Sequence, residues 1–376
     1  MRVVVFCHSL VSDWNHGNAH FLRGVVSELM ARGHEVHVLE PQHGWSRSNL
    51  EQDHGPAAIE GFHRAYPHLK SECYSLDTIN VDAVMAGTDL ALVHEWTDHQ
   101  LVAEIGKAHH RRGDGILLFH DSHHRSVTDP RAMAAYNLSH YDGVLAFGDE
   151  VRDRYLAHGW ASRAWTWHEA ADTRVFYPRD RRVPQDEVDP AVHGDIVWIG
   201  NWGDEERSAE IEEFVCEPAR RLGLRASMFG VRYPADVQEH LATQGIDYRG
   251  WLPNHLVPAV FSRFTATVHV PRRPYLESLP GIPTIRPFEA LACGIPLVCA
   301  RWDQTGGLFE PGADFLVARD GDEMVGQLDR LLRDETLRTE LAAHGLATIR
   351  ARHTCAHRVD QLMAIYAELR HSMVLS

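Results

Sequence analysis

Lysine is almost missing from this sequence of 376 residues, since Lys70 and Lys107 are the only two. The other positive side chains are arginines, and the formal net charge is -15. Such a negative charge repels nucleic acid and anionic lipid at long range, so no nucleic-acid partner is expected. A small anionic ligand would need only a few local donors, and in most of the chain these must be arginines or backbone amides.

Paired cysteines, long apolar runs and a glycine fingerprint are absent as well. The six cysteines are scattered without a C-x-x-C pair, which is typical of reduced thiols in a cytosol. No apolar run is long enough to span a bilayer, and the opening run lacks the features of a signal peptide. The first loop has no G-x-G-x-x-G, so an oxidoreductase with a dinucleotide cofactor loses its main support. We expect a cytoplasmic protein, and the sequence leaves a peripheral position at a membrane open.

Short apolar runs alternate with helical or polar segments in both halves of the chain, as in parallel sheets with crossover helices. Residues 3–7 predict a strand, residues 19–32 an amphipathic helix, and residues 36–39 the next strand. We therefore predict an α/β fold with two Rossmann-like domains that face each other across a cleft. The predicted parts are a first domain at 1–178, a linker at 179–193, a second domain at 194–360, and a C-terminal helix at 361–376 that crosses back to the first domain.

Residues 278–298 contain the most informative motif. A loop rich in glycine and proline leads into a short helix, with Pro287 suited to its first position and Gly294 to its exit. A helix N-terminus of this kind favours a phosphate group. The Glu289 carboxylate can accept hydrogen bonds from both hydroxyls of a ribose, or it can simply complement the helix dipole.

Residues 288–294 resemble the second half of the Glu-x7-Glu motif of retaining glycosyltransferases with the GT-B fold. The resemblance implies that Glu289 binds ribose. Gly281 occupies the position of the first glutamate, as in the divergent branch of spore-maturation-type glycosyltransferases. The backbone of Gly281, Ile282, Pro283 and Thr284 would then hold the sugar or the phosphate. Residues 167–178 are similar to the segment that closes the first domain in the same family.

The resemblance also implies where the donor diphosphate binds. Family members carry an arginine and a lysine after the first strand of the second domain, and here those positions are Asn201 and Arg207. Because the second domain has no lysine, Arg207, Arg286 and Arg232 are the candidates for the diphosphate. A surface ion pair with a neighbouring glutamate is the alternative for Arg207.

Residues 249–253 correspond to the family's loop that reads the nucleotide base. Trp251 and Leu252 are therefore further donor-binding candidates. Structural packing of Trp251 is equally compatible with the sequence.

The loops of the first domain predict an acceptor side, because ligands of open α/β sheets bind at the carboxyl ends of the strands. His120 begins the loop after the strand at 115–119 and matches a family histidine that contacts the transferred sugar, so His120 and Glu289 are the catalytic candidates. No metal site is expected, since adjacent histidines are common in a chain with 27 of them. The acceptor-side candidates are Asn15, His16, Gly17, Asn18, His94, Glu95 and His120.

The predicted function is transfer of a sugar from a nucleoside-diphosphate-sugar, as co-substrate, to an acceptor hydroxyl. The resemblance implies retention of configuration without an obligatory metal or other cofactor. The acceptor remains open between a small molecule, a glycan and a lipid-linked molecule, and the oligomeric state is undetermined. The alternatives are a sugar-nucleotide 2-epimerase of the same fold and a non-catalytic protein that binds sugar nucleotides.

Overall fold

The structure is a computed structural model that describes residues 1–180, 188–203, 205–302 and 307–375. The chain forms two compact units, one from Met1–Glu169 with Cys355–Ser376 and the other from Ala170–Thr354. Each unit is built on a fully parallel sheet, with seven strands in the first and six in the second. The prediction of two Rossmann-like α/β domains is confirmed.

The unit boundaries differ from the predicted ones by a few residues. Residues 170–178 belong to the second unit because Phe176 packs in its core, where it is fully buried. The whole last helix belongs to the first unit, and Arg358 near its start donates to the carbonyl of His168 at 2.8 Å. Of the predicted linker at 179–193, residues 181–187 lie outside the described residues.

The first sheet has the order β3-β2-β1-β4-β5-β6-β7. Its central strands are continuous apolar runs, as expected where helices cover both faces of a parallel sheet. All five residues of the fourth strand are buried. The strands are β1 (Arg2–Phe6), β2 (Glu35–Pro41), β3 (Glu72–Tyr74), β4 (Leu90–His94), β5 (Ile116–Asp121), β6 (Gly143–Ala146) and β7 (Ala164–Thr166).

The first helix confirms the predicted amphipathic segment, with Gly33 in the left-handed conformation beyond its end (φ +81°). Asn18 precedes it but makes no side-chain capping bond, and Met30 is exposed, contrary to the predicted apolar face. The helices of the first part of the chain are α1 (Ala19–Ala31), α2 (Trp45–His54), α3 (Pro56–Ala65), α4 (Val81–Met85), α5 (His99–Arg112), α6 (Arg125–Thr128), α7 (Pro130–Ala134) and α8 (Asp149–Ala157).

The second sheet has the order β10-β9-β8-β11-β12-β13. Two loops approach closely at its carboxyl edge, where a Cβ atom on Gly230 would lie 2.0 Å from the carbonyl oxygen of Gly200. Glycine is therefore required where the loop after β9 touches the loop after β8. The strands are β8 (Gly194–Ile199), β9 (Ala226–Phe229), β10 (Asp247–Tyr248), β11 (Phe264–His269), β12 (Leu297–Ala300) and β13 (Leu316–Ala318).

The helices of the second unit include a π-helical turn at Glu212–Cys216 and a 3₁₀ turn at Asn254–Leu256. No helix in the described part of the chain is long and apolar enough to cross a membrane. The helices that complete the chain are α9 (Ser208–Ile211), α10 (Glu217–Leu222), α11 (Ala235–Thr243), α12 (Val257–Phe261), α13 (Arg273–Glu277), α14 (Ile285–Cys293), α15 (Gly321–Arg333), α16 (Glu335–Arg352) and α17 (Cys355–Leu375).

Candidate functional site

Polar side chains of the second unit gather where β8 and β11 end and α14 begins. This is the edge at which parallel α/β sheets bind ligands. Helix α14 begins at Ile285 rather than at Pro287, so Glu289 lies in the second turn and not in the first, as the sequence had suggested. Its exit at Gly294 is left-handed (φ +65°), as predicted.

Arg207 is a half-buried cation of this edge. Its guanidinium donates to the carbonyl of Val270 at 3.2 Å and to the side chain of Asn201 at 2.6 Å, and it lies 5.1 Å from the ring centre of Trp198. Burial, and then the charge of Arg272, lower the pKa of Arg207 to about 9. Among the described residues no carboxylate lies within ion-pair distance of Arg207, so the surface pair with Glu205 or Glu206 is not formed.

Arg272 is a second cation at the same edge, and the sequence argument missed it. It follows β11 and donates to the Asn201 side chain at 2.9 Å, so Asn201 joins the two arginines. Arg272 also forms an ion pair with Glu206. Its position just beyond the end of β11 was the available signal, because strand ends at this edge carry ligand-binding side chains.

Glu289 is completely buried, and both of its carboxylate oxygens are engaged. Asn254 donates to one oxygen at 2.9 Å, and Arg286 pairs with the other. Arg286 is half-buried and lies one helical turn before Glu289. The structure therefore holds Glu289 next to a cation, and Asn254 is a partner that sequence spacing does not reveal.

His269 connects the end of β11 to the start of α14. Its Nε2 lies 3.1 Å from the hydroxyl of Thr284, which occupies the N-cap position but makes no capping hydrogen bond. Burial lowers the pKa of His269 to about 3, and the charges of Arg207 and Arg286 act in the same direction. The imidazole is therefore neutral beside two guanidinium groups.

The other predicted donor-side residues occupy different environments. Gly281 has a left-handed backbone (φ +79°) and, like Ile282 and Pro283, is buried. Trp251 and Leu252 are half-buried, and Leu252 packs against the apolar core of the unit. Arg232 follows β9, is exposed, and also has a positive φ of 65°.

The first unit brings several predicted acceptor-side residues together at the carboxyl ends of β1, β4 and β5. His94 Nε2 lies 3.0 Å from the hydroxyl of Ser122 and 3.3 Å from the amide nitrogen of Asn18. The Asn18 amide also donates to Ser122. His120 lies within β5 rather than in the following loop, and its ring centre is 5.3 Å from that of His94.

A small cavity of ≈ 20 Å³ lies between the sheet and α1, with space for one water molecule. His16, His94 and His120 line it beside apolar side chains such as Phe21 and Leu92. Each of these three buried imidazoles has one ring nitrogen without a hydrogen-bond partner among the described residues. Burial lowers the pKa of all three, to about 3 for His120.

Glu95 and Asp121 form a buried acidic pair, and each directly follows one of the histidines in sequence. Ser122 donates to Glu95 through its backbone N–H at 3.3 Å, and Tyr155 donates to Asp121 at 2.9 Å. Burial, and then the charge of Asp121, raise the pKa of Glu95, while burial raises the pKa of Asp121 to about 6. Glu95 thus supports the loop that carries Ser122 from inside the unit.

Two predicted residues lie at the margin of this group. Gly17 is exposed, and Asn15 is half-buried with a left-handed backbone (φ +47°). His8 was not predicted, although its ring centre lies 5.0 Å from that of His16. Its place directly after β1 was the signal, since this strand end lies beside that of β4.

Part of the chain matches a protein family, and solved structures share its fold. Residues 207–364 match the sequence profile of a family described as glycosyl transferase-like, a segment that starts at Arg207 and includes Arg272, Arg286 and Glu289. No curated protein matches the chain in sequence. Sucrose-phosphate synthase from Thermosynechococcus elongatus is 14% identical and superposes with a TM-score of 0.67, with 99% of this chain and 100% of that chain covered.

Two further structures share the architecture and were solved with nucleotide sugars. Anabaena HepE in complex with UDP-glucose is 13% identical, with a TM-score of 0.70 over 98% of this chain and 100% of that chain. An alpha-glucosyltransferase in complex with UDP-glucose and DNA containing an abasic site is also 13% identical, with a TM-score of 0.69 over 98% and 99% of the two chains. The chain has the GT-B fold of glycosyltransferases. Within this GT-B protein, Arg207, Arg272 and Arg286 stand in the unit that contains most of the family match, and His16, His94 and His120 stand in the other unit.

Proposed function

We propose that this protein is a glycosyltransferase whose second unit binds a uridine-diphosphate-sugar and whose first unit binds the acceptor. The observation that carries the proposal is the arginine group at the edge of the second sheet, with Arg207 half-buried and without a carboxylate partner among the described residues. A diphosphate would supply the missing negative charge. The UDP-glucose complexes of HepE and of the alpha-glucosyltransferase support uridine as the base.

Arg207 and Arg272 would neutralise the departing diphosphate, assisted by the N-terminus of α14. Stabilisation of charge that develops in the transition state is commonly the largest contribution to catalysis. Asn201 holds both guanidinium groups in place through its side-chain oxygen. Because both groups are already in place, little reorganisation energy is needed when the phosphate oxygen becomes more negative in the transition state.

Glu289 would bind the ribose once Arg286 exchanges partners. In the structure Arg286 pairs with Glu289, which is completely buried. An arriving diphosphate would compete with Glu289 for the Arg286 guanidinium. Once the guanidinium has left Glu289, the carboxylate oxygen that it occupied can accept hydrogen bonds from the ribose hydroxyls. Nucleotide binding and exposure of Glu289 would thus be coupled. Gly281 replaces the first glutamate of the Glu-x7-Glu motif, and its left-handed backbone suits close approach to the sugar.

The reaction would retain configuration and proceed without a metal ion. A thermal-shift panel with UDP, GDP and ADP tests the donor, and we expect UDP to raise the melting temperature most. NMR spectroscopy of the product would show an anomeric configuration equal to that of the donor, and turnover would persist in EDTA. Equal responses to all three nucleotides would contradict the uridine assignment. If the sugar of the donor epimerises when no acceptor is present, the assignment changes from a transferase to an epimerase.

A further inference from the structure

A continuous series of aromatic rings runs across the carboxyl edge of the first sheet. It begins at Trp96, whose ring centre lies 6.0 Å from that of His8. The next steps measure 5.0 Å from His8 to His16, 6.3 Å from His16 to His94, and 5.3 Å from His94 to His120. We call the four histidines the histidine row. Its inner members line the small cavity described above, whereas its outer end reaches a solvent-exposed indole.

Trp96 is exposed to an extent that is unusual for tryptophan, with 43% of its surface accessible. Arg125 lies over its ring at 4.6 Å, and the ring of His123 meets its edge at 5.3 Å. These contacts fix the orientation of the indole without covering it. A fixed, accessible indole offers a flat apolar surface together with one N–H donor.

The charges around this surface do not favour an anionic ligand. Arg125 lies 3.9 Å from Glu95 and donates to its backbone carbonyl. Arg23 is buried, pairs with Asp13 at 2.9 Å, and donates to two backbone carbonyls. Because the buried imidazoles have lowered pKa values, they are neutral acceptors or donors at pH 7.

We propose that this edge binds an uncharged saccharide, with one sugar ring stacked on Trp96 and sugar hydroxyls bonded to the histidine row. The proposal rests on the proposed function, in which this ligand is the acceptor. A pyranose ring has a face of C–H groups that packs on indole, and one of its hydroxyls matches the cavity at which His16, His94 and His120 each have a buried ring nitrogen without a hydrogen-bond partner among the described residues. The cavity of ≈ 20 Å³ admits a single hydroxyl-sized group.

The test measures ligand binding by saturation-transfer NMR and calorimetry on the full chain, without any donor. The probes are glucose, maltose, cellobiose, glucose 6-phosphate and a short DNA duplex. We expect at least one neutral sugar to bind and Trp96→Ala to weaken it at least tenfold, while Trp96→Phe loses less. The matched control is Trp45→Ala, since Trp45 is 47% exposed in the same unit and packs on Trp14 at 5.0 Å. It should leave sugar affinity unchanged.

Three results would overturn the proposal: no neutral sugar binds, glucose 6-phosphate or the duplex binds more tightly than every neutral sugar, or both alanine variants behave alike. A UDP titration of the same variants separates this proposal from the proposed function. If a sugar binds through Trp96 but UDP does not bind, the transferase assignment fails and the saccharide site stands. If UDP binds and no sugar does, only the saccharide site fails.

Discussion

The carboxyl edges of the two sheets carry different kinds of polar side chain. At the carboxyl edge of the first sheet stand buried imidazoles with lowered pKa values and two carboxyl groups with raised ones. At the corresponding edge of the second sheet stand arginines joined by Asn201. Both sheets are parallel and have their ligand-binding edge in the same place relative to the strands. The fold thus decides where a ligand binds, and the residues at the strand ends decide which ligand that is.

Burial acts on both edges in the same direction, because it disfavours the charged form of every side chain. Histidines and carboxyl groups respond by becoming neutral within the range of ordinary pH. An arginine cannot, and although burial lowers the pKa of Arg207 to about 9, the side chain stays charged at pH 7. The imidazoles of the first edge are therefore neutral at pH 7, whereas the second edge retains positive charge that an anionic ligand would stabilise.

The largest expected effect follows from removing Arg207, the half-buried cation of the second edge that has no carboxylate partner among the described residues. Arg207→Met should weaken UDP binding and lower turnover by about a hundredfold, a magnitude typical of lost transition-state charge stabilisation. Calorimetry with UDP and initial rates measure it. Arg221→Met is the control, because Arg221 is an exposed arginine that pairs with Asp322 in the same unit. Equal UDP affinities of the two variants would contradict a diphosphate role for Arg207.

The neutral character of the first edge predicts a loss of stability in acid. The folded-state pKa of His120 is about 3, against an ordinary value of 6.5, so below pH 6.5 the unfolded chain binds a proton that the folded chain does not. Stability therefore falls as the pH decreases from 6.5 towards 3, by about 2 kcal/mol between pH 7 and pH 5 for this residue alone.

His120→Phe should remove that contribution, since phenylalanine fits among Phe21, Trp167 and His94 without a titrating group. Denaturant unfolding at pH 7 and pH 5 measures the difference. His140→Phe serves as the control, because His140 lies half-buried at the surface of the same unit, stacked on His110 at 4.4 Å. If His120→Phe retains the full pH dependence of the natural chain, the neutral-imidazole description of the edge is wrong.

A smaller effect tests the partner exchange at Glu289. We expect UDP to bind about tenfold more tightly than 2′-deoxy-UDP, because loss of one hydroxyl leaves an acceptor of the carboxylate unused. Glu289→Gln should reduce this ratio towards one. Glu323→Gln changes another glutamate paired with an arginine on a helix of the same unit and should leave the ratio intact. An unchanged ratio in Glu289→Gln would exclude Glu289 as the ribose ligand.

Much of the architecture was predictable because apolar periodicity reports it directly. The strands predicted at residues 3–7 and 36–39 and the helix predicted at 19–32 appear as β1, β2 and α1, with ends that differ by at most two residues. The start of α14 was misplaced because proline at the first helical position is only a preference, and here Pro287 occupies the third.

The candidate sites were predictable in position but not in pairing. Arg207 was identified through the family resemblance, and His120 through the same resemblance together with its place at a strand end, where parallel sheets bind ligands. The contact of Asn254 with Glu289, and that of Arg272 with Asn201, depend on loop conformations across long separations in sequence. No local pattern encodes them. The burial of these side chains cannot be seen in the sequence either. The sequence alone therefore did not show that Glu289 pairs with Arg286 or that the histidines are neutral.

The smallest effect compares two buried tyrosines, one in each unit. Tyr155 donates to the Asp121 carboxyl group at 2.9 Å, and Tyr233 donates to the Gly200 carbonyl at 2.9 Å. Because the pKa of Asp121 is raised to about 6, its carboxyl group is mostly ionised at pH 8 and mostly protonated at pH 5. A hydrogen bond to an ionised acceptor contributes about 1 kcal/mol more than one to a neutral acceptor.

Tyr155→Phe should therefore cost about 1 kcal/mol more at pH 8 than at pH 5. Tyr233→Phe, which also leaves the Trp198 indole N–H without its acceptor, should cost the same at both pH values. Denaturant unfolding of both variants at the two pH values measures this difference. A pH-dependent cost in Tyr233→Phe, or a constant one in Tyr155→Phe, would show that the acidic pair of the first unit does not titrate as described. The contrast between the two edges would then rest on the arginines alone.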